Sequence, residues 1–227
     1  MICINTTIRQ SVKLIKRCIF GLCPGGSAPG GGMDLYKQAL KAIRDMVEEA
    51  RQMALPDPMV MSLATVDAAG QPSVRTVYLQ AVVDSGLVFF TSCHSRKAIQ
   101  LAANPRAAVC LYSQPLARQI QVEGTAWLLG DEEAAIYWAM RGRDNQLAAW
   151  ASGQIESLES REQFEQRLAE YRQRFDFQRE VPKPHHWCGY CLAPERIELW
   201  KKSWRYPQQR VCYQKTADGW SVTHVNP

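Results

Sequence analysis

The chain has 227 residues, 46% of them hydrophobic and 22% charged, with a net charge of +5. That length suits one large or two small domains around a sizeable core, and the composition is that of a globular protein rather than a disordered or fibrous one. Lys and Arg are spread along the chain apart from Lys201, Lys202 and Arg205, which favours small anionic ligands over nucleic acid, and no apolar run approaches the roughly 20 residues of a membrane span.

Residues 1–32 read as a flexible extension. Lys13, Lys16 and Arg17 precede a Cys-Ile-Phe-Gly-Leu-Cys run that is too short for a secretory core, and a Pro- and Gly-rich stretch over 24–32 reads as a linker. A Gly-rich phosphate loop would need a preceding strand and a Lys-Ser/Thr ending, and neither is there. Met33 follows at once and is a candidate translational start. Over 34–54, Leu35, Leu40, Ile43, Val47, Ala50 and Ala54 recur at three-to-four spacing. This predicts a helix capped by Asp34, stopped by Pro56 and Pro58, and packed on the chain's own barrel.

Short strands follow. The pattern predicts a hairpin of 59–66 and 73–80, a turn at Asp84-Ser85-Gly86, and a strand over 87–91. A short helix at about 95–103 ends near Asn104-Pro105, and strands follow at 107–112 and 118–129, the latter with Gln119, Gln121 and Glu123 alternating. Residues 131–140 read as a helix capped by Asp131, with Glu132 and Glu133 in its first turn. Residues 160–175 read as a charged helix with Phe164, Leu168 and Tyr171 on one face; strands return at 196–200, 210–214 and 220–224. Consecutive strands joined by tight turns predict an antiparallel β-barrel with flanking helices, a mainly β member of the α+β class.

Eight cysteines, at 3, 18, 23, 93, 110, 188, 191 and 212, follow no regular disulfide spacing. They read as reduced thiols of a cytoplasmic protein. His185, His186, Cys188 and Cys191 offer zinc-type ligands, but two adjacent His and one Cys pair make a strained single-loop site. An apolar strand entering the barrel is the stronger reading. No Gly-x-Ser-x-Gly elbow or other nucleophile–base pattern accompanies His94 or His224.

The stretch 72–97 is the richest in chemistry. A strand runs into Thr91, Ser92, Ser95, Arg96 and Lys97 just before a helix start, and Arg75 lies on the strand before it. Hydroxyls, backbone N–H groups and cations at a helix N-terminus suit a phosphate dianion, although a solvated basic turn uses the same residue types. A second polar group holds Tyr137, Arg141, Arg143, Asp144, Asn145 and Gln146. Tyr137 and Arg141 share a face if the helix continues; the group is either another phosphate site or a solvated helix end. Trp200 and Arg210 form a third pair, suited to flank a flat heteroaromatic ligand, with core packing and surface charge as the plain alternatives.

These runs resemble the pyridoxamine 5′-phosphate oxidase family of flavin-binding split barrels over about 56–227. The matching stretches are Ala64-Thr-Val-Asp-Ala-Ala-Gly-Gln-Pro72, Arg75-Thr-Val, Phe90-Thr91, Ser95-Arg-Lys97, Asn104-Pro-Arg106, Arg118-Gln-Ile120, Arg143-Asp-Asn-Gln146 with Trp150, Ile197-Glu-Leu-Trp200, and Arg210. The resemblance implies an FMN-dependent oxidase of 33–227 acting in pyridoxal phosphate biosynthesis. It implies a homodimer with FMN at the interface, a dimerisation and flavin-contacting region over 172–227, a small phosphorylated substrate, and O2 as electron acceptor. It assigns Arg75, Thr76, Val77, Tyr78, Phe90, Thr91, Arg96, Lys97 and Gln119 to FMN, joined by Gln154, Trp200 and Arg210 from the other subunit. It assigns Tyr137, Arg141, Asn145, Gln80, Tyr206 and Gln208 to the substrate, with no protein nucleophile.

The departures from the family pattern fall on the substrate side. Gln80 stands where the family usually has Lys, Asn145 where it has Ser, and Tyr206 and Gln208 where it has Arg-x-His; 1–32 holds no match to its N-terminal Arg/Tyr clamp. They leave two other readings open: an FMN oxidoreductase for a different small amine or ring alcohol, and a flavin or pyridoxal-phosphate binder without turnover.

Overall fold

The computed structural model describes residues 31–152, 160–203 and 209–225. Nearly all of the expected extension, together with Gln154, Tyr206 and Gln208, lies outside the described residues. The described chain forms two compact units. One comprises 31–89, Gln100–Trp127 and 190–225; the other comprises Phe90–Ile99 and Leu128–Gly189.

The strands are β1 (Val60–Val66), β2 (Pro72–Val83), β3 (Gly86–Ser92), β4 (Arg106–Ser113), β5 (Arg118–Leu128), β6 (Trp187–Lys201), β7 (Gln209–Thr216) and β8 (Gly219–His224). They pair in the order β3-β2-β1-β4-β5-β6-β7-β8, and β3 also pairs with β6. Six strands therefore close into a barrel, which removes the exposed edges an open sheet would leave. β7 and β8 continue beyond it as a hairpin. The β1–β2 turn is tied by Asp67, whose carboxylate accepts from the N–H groups of Ala69 and Gln71 at 3.0 and 2.9 Å.

Period-two alternation places Leu63, Leu79, Leu87, Phe89, Leu111, Val122, Leu192 and Ile197 inside the first unit, all fully buried. Helix α1 (Gly31–Gln52) lays Leu40, Ile43, Val47 and Ala50 inward and packs chiefly against β8, with Tyr36 stacked on Trp220 at 4.9 Å. It starts at Gly31, so Asp34 lies in its first turn rather than at the cap. There the carboxylate still faces the positive end of the helix dipole.

The second unit holds the end of β3, the start of α2 (Arg96–Ala103), and helices α3 (Asp131–Ala139), α4 (Arg143–Ala151) and α5 (Arg161–Arg174). The N-cap of α3 is Gly130, in extended backbone, and not Asp131, which enters the first turn with Glu132 and Glu133. Nor does α3 reach Arg141. Met140 caps it, the Arg141 N–H closes on the Trp138 carbonyl at 3.0 Å, and extended Gly142 opens a separate helix. Ser160 caps α5 by accepting from the Gln163 N–H at 3.3 Å.

The core of this unit is aromatic: Phe90 stacks on Trp187 at 4.1 Å and Trp138 meets Trp187 edge-on at 5.0 Å. The polar tips are satisfied. Trp138 Nε1 donates to the Val181 carbonyl at 2.7 Å and Trp150 Nε1 to Pro182 at 2.8 Å. The run around His185 to Cys191 enters β6, whose 15 residues extend the strand expected over 196–200 back to Trp187. Among the described residues no group of three or more His, Cys, Asp or Glu is placed to hold a metal, and no helix is long and apolar enough to cross a membrane.

Candidate functional site

In the first unit, β2 sorts its residues by alternation. Val77 is buried and Arg75 half-buried, while Thr76, Tyr78 and Gln80 are exposed. The Arg75 guanidinium is held inward. Nη1 donates to the Leu63 carbonyl at 3.1 Å and to Thr65 Oγ1 at 2.6 Å, and Nη2 donates to Gln100 Oε1 at 3.2 Å. Gln119, half-buried on β5, stands opposite Tyr112 in the β4–β5 ladder.

Trp200 and Arg210, ten residues apart in the chain, are direct cross-strand partners on β6 and β7. Beside them Glu198 is buried. Arg196 Nη2 bonds its Oε2 at 2.5 Å, and Arg210 Nε lies 3.4 Å from its Oε1. Arg210 Nε is buried and has no hydrogen-bond partner among the described residues. An indole beside a buried, unsatisfied donor fits a flat ligand with acceptor atoms on its rim.

In the second unit, Lys97 Nζ donates to Thr91 Oγ1 at 3.0 Å, and Thr91 Oγ1 lies 3.2 Å from Ser95 Oγ. Ser95 precedes α2 and takes the Ala98 N–H on its hydroxyl at 3.4 Å and the Ile99 N–H on its carbonyl at 3.0 Å. Arg96 is exposed in the first turn of α2, which carries no acidic residue. Two hydroxyls, an ammonium, a guanidinium and the positive end of a helix make a donor set that suits a phosphate dianion. Behind it the Cys188 thiol donates to the Thr91 carbonyl at 3.7 Å and is pushed up to about 12, first by burial and then by the charge and hydrogen bond of Cys93.

The polar group after α3 divides. Arg143 serves the fold, donating to the carbonyls of Phe175 and Gln178, and Gln146 is buried against the Trp138 carbonyl. Tyr137 is buried with its ring 5.2 Å from Phe90. Arg141 is half-buried, its guanidinium pushed down by desolvation, and its Nε donates to the Asn145 carbonyl at 3.2 Å. The Asn145 side chain is exposed. The sequence reading missed Thr65 and Gln100, buried polar residues whose partners are remote in the chain, and Glu198, buried and bonded by Arg196 two residues away on the same strand.

The pyridoxamine 5′-phosphate oxidase family matches residues 46–175, and the pyridoxine 5′-phosphate oxidase C-terminal dimerisation region matches residues 187–227. A pyridoxine/pyridoxamine 5′-phosphate oxidase of Alkalilimnicola ehrlichii is 45% identical over 196 residues, which span 86% of this chain and 100% of that one. One of Rubrobacter xylanophilus is 44% identical over 180 residues, 79% of this chain and 82% of its own. Among solved structures, PhzG from Burkholderia lata 383, in complex with tetrahydrophenazine-1-carboxylic acid, superposes with a TM-score of 0.76 at 26% identity, covering 83% of this chain and 92% of that one.

Proposed function

The chain belongs to the pyridoxamine 5′-phosphate oxidase family, and on that premise we propose that it is an FMN-dependent oxidase converting pyridoxamine or pyridoxine 5′-phosphate to pyridoxal 5′-phosphate. The observation that carries this reading is the donor set of Thr91, Ser95 and Lys97 at the start of α2, in a chain that spans the whole length of a relative bearing that activity's name. When bound, FMN would supply the hydride acceptor, with O2 as the final electron acceptor.

The protein's part is binding and orientation. Thr91, Arg96 and Lys97 hold the flavin phosphate, and a charge-assisted bond of this kind contributes about 1.5–3 kcal/mol; the family resemblance assigns Arg75 to FMN as well. Thr76, Val77, Tyr78, Phe90 and Gln119 line the flavin. Gln154, Trp200 and Arg210 act across a homodimer. Tyr137 and Arg141 take the substrate phosphate. Desolvation lowers the guanidinium of Arg141 yet leaves it charged at neutral pH, because its starting point is so high. Asn145, Gln80, Tyr206 and Gln208 complete the substrate side with neutral groups. Cys93, Cys110, Cys188 and Cys212 are unbridged, which supports a reducing, cytoplasmic setting.

The test is an oxidase assay on FMN-loaded protein. Added pyridoxamine 5′-phosphate is expected to yield pyridoxal 5′-phosphate and hydrogen peroxide in equal amounts. A protein that takes up FMN without turning over this substrate overturns the proposed activity; one that takes up no FMN overturns the cofactor assignment as well.

A further inference from the structure

Cys93 and Cys188 are remote in the chain and meet in the second unit. Cys93 sits in the turn after β3, and its N–H donates to the His186 carbonyl at 2.8 Å. Its Sγ lies 3.8 Å from the His185 carbonyl. Cys188, past His186 on β6, sends its Sγ to within 3.7 Å of the Thr91 carbonyl. The two segments therefore run side by side in opposite directions, and the two thiols share a hydrogen bond.

These surroundings suit reactive thiols rather than core filling. Both cysteines are only part-buried, and His94 and His185 beside Cys93 are exposed. Cys191, by contrast, is 0% exposed. Burial, and after it the charge and hydrogen bond of Cys93, keep the proton on Cys188 against the ammonium groups of Lys183 and Lys97. Cys188 thus holds its proton in the presence of a Cys93 thiolate, and the thiolate is the form that attacks.

We propose that Cys93 and Cys188 form an oxidation site for hydrogen peroxide, closing reversibly to a disulfide that disturbs the phosphate-type donor set beside it. The Cys93 thiolate attacks one peroxide oxygen, the O–O bond breaks, and the departing hydroxide takes up a proton as water, leaving a sulfenic acid on Cys93. Cys188 then gives up its proton as its sulfur attacks that of Cys93; the S–O bond breaks and a second water leaves. Two thiols and one peroxide become one disulfide and two waters, the sulfurs losing the two electrons that the oxygens gain. A dithiol reductant reverses the step, as a transient disulfide in a reducing compartment requires. Closing the bond takes the Cys188 proton from the Thr91 carbonyl and pulls on the segment that carries Thr91 Oγ1, Ser95 Oγ and Lys97 Nζ. The effect on flavin, and the source of peroxide in the proposed reaction, rest on the reading above; the oxidation itself does not.

The test treats the purified full-length chain with hydrogen peroxide, blocks the remaining thiols by alkylation and maps the cysteines by mass spectrometry. Of the eight thiols, Cys93 and Cys188 are expected to be lost together, to appear in one cross-linked peptide pair, and to return with dithiothreitol. In Cys188→Ser, Cys93 stops at a sulfenic acid that dimedone captures. The oxidised chain is expected to bind FMN about ten-fold more weakly than the reduced chain, the scale of one charge-assisted bond, and Cys188→Ser to show no such change with peroxide. Cys93 and Cys188 that stay alkylated, pair with other cysteines, or reach sulfinic acid without joining overturn the site. A disulfide that leaves FMN affinity unchanged overturns its link to the donor set. A reduced chain that takes up no FMN refutes the cofactor reading instead, and the peptide map of the unmodified chain still decides the oxidation site, as it does where a variant fails to fold.

Discussion

Gln100 and Ile99 occupy the places each would be expected to leave to the other. Ile99 is 62% exposed, while Gln100 is buried on the side of α2 that also carries Ala98 and Leu101. Polarity along eight residues gives no sign of this, because Arg75 and Thr65, the groups that make a buried amide affordable, lie 25 and 35 residues away. That Thr91, Ser95 and Lys97 come together before α2 was legible, because hydroxyls and cations before a helix start are a local pattern. Two further groups act on stability with pH. The Tyr36 phenol is pushed up to about 12, first by burial and then by the charges of Cys191 and Asp84, and Cys188 is likewise pushed up to about 12, chiefly by burial. Both raised values mean that the folded chain keeps protons the unfolded chain releases above its ordinary thiol and phenol values, about 8.5 and 10. Their contribution is therefore fully present below about pH 8.5 and is lost as pH rises toward 12. The melting temperature should fall between pH 8 and pH 10.5, and Tyr36→Phe should make that fall smaller. An unchanged pH dependence in Tyr36→Phe would remove Tyr36 from the account.

Elements with a local signature were readable, and those set by tertiary approach were not. The turn at Asp84-Ser85-Gly86 joins β2 to β3 as expected, and α5 begins just after its Ser160 cap. The break between α3 and α4 escaped notice, since a polar run without proline reads as one helix end; the interruption is made by extended Gly142 and by Arg143 turning to the Phe175 and Gln178 carbonyls. The close approach of β5 to β6 was likewise invisible. A Cβ at Gly124 would lie 1.8 Å from the Ala193 carbonyl oxygen and 3.1 Å from the Glu195 nitrogen, both backbone. Neither can move without parting the barrel ladder. Gly124→Ala should cost about 3 kcal/mol or more by urea denaturation. Gly70→Ala is the control: its Cβ meets nothing within 4 Å and only a left-handed φ of 83° opposes it, a cost of about 1–2 kcal/mol. Equal losses at the two positions would show that the contact with β6 carries no special weight.

At the scale of the whole molecule, one face of the barrel unit lacks the charge expected of a surface. Cross-strand register sets Val74, Ala64 and Ala108 in one row over β2, β1 and β4, and Thr76, Ser62 and Cys110 in the next. Val74 is 68% exposed, and Tyr78 and Tyr112, on the same strands, are 61% and 60% exposed. The first charged group beyond Ala108 is Glu123 on β5, bonded by Arg196 at 2.9 Å. A chain whose residues 187–227 match a dimerisation region has reason to keep such a patch for its second copy. Introducing like charges there sets them against their symmetry mates, where each also loses water. Ser62→Glu combined with Val74→Glu, at positions assigned no ligand, should therefore sediment as a 25.7 kDa monomer, whereas the unmodified chain sediments as a dimer. Because Gln154, Trp200 and Arg210 are proposed to reach FMN across the dimer, the same variant should lose FMN affinity while its far-ultraviolet circular dichroism stays unchanged. A variant that remains dimeric places the interface elsewhere on the chain. One that becomes monomeric yet binds FMN as tightly as before shows that these three residues serve the flavin, if at all, from within a single subunit.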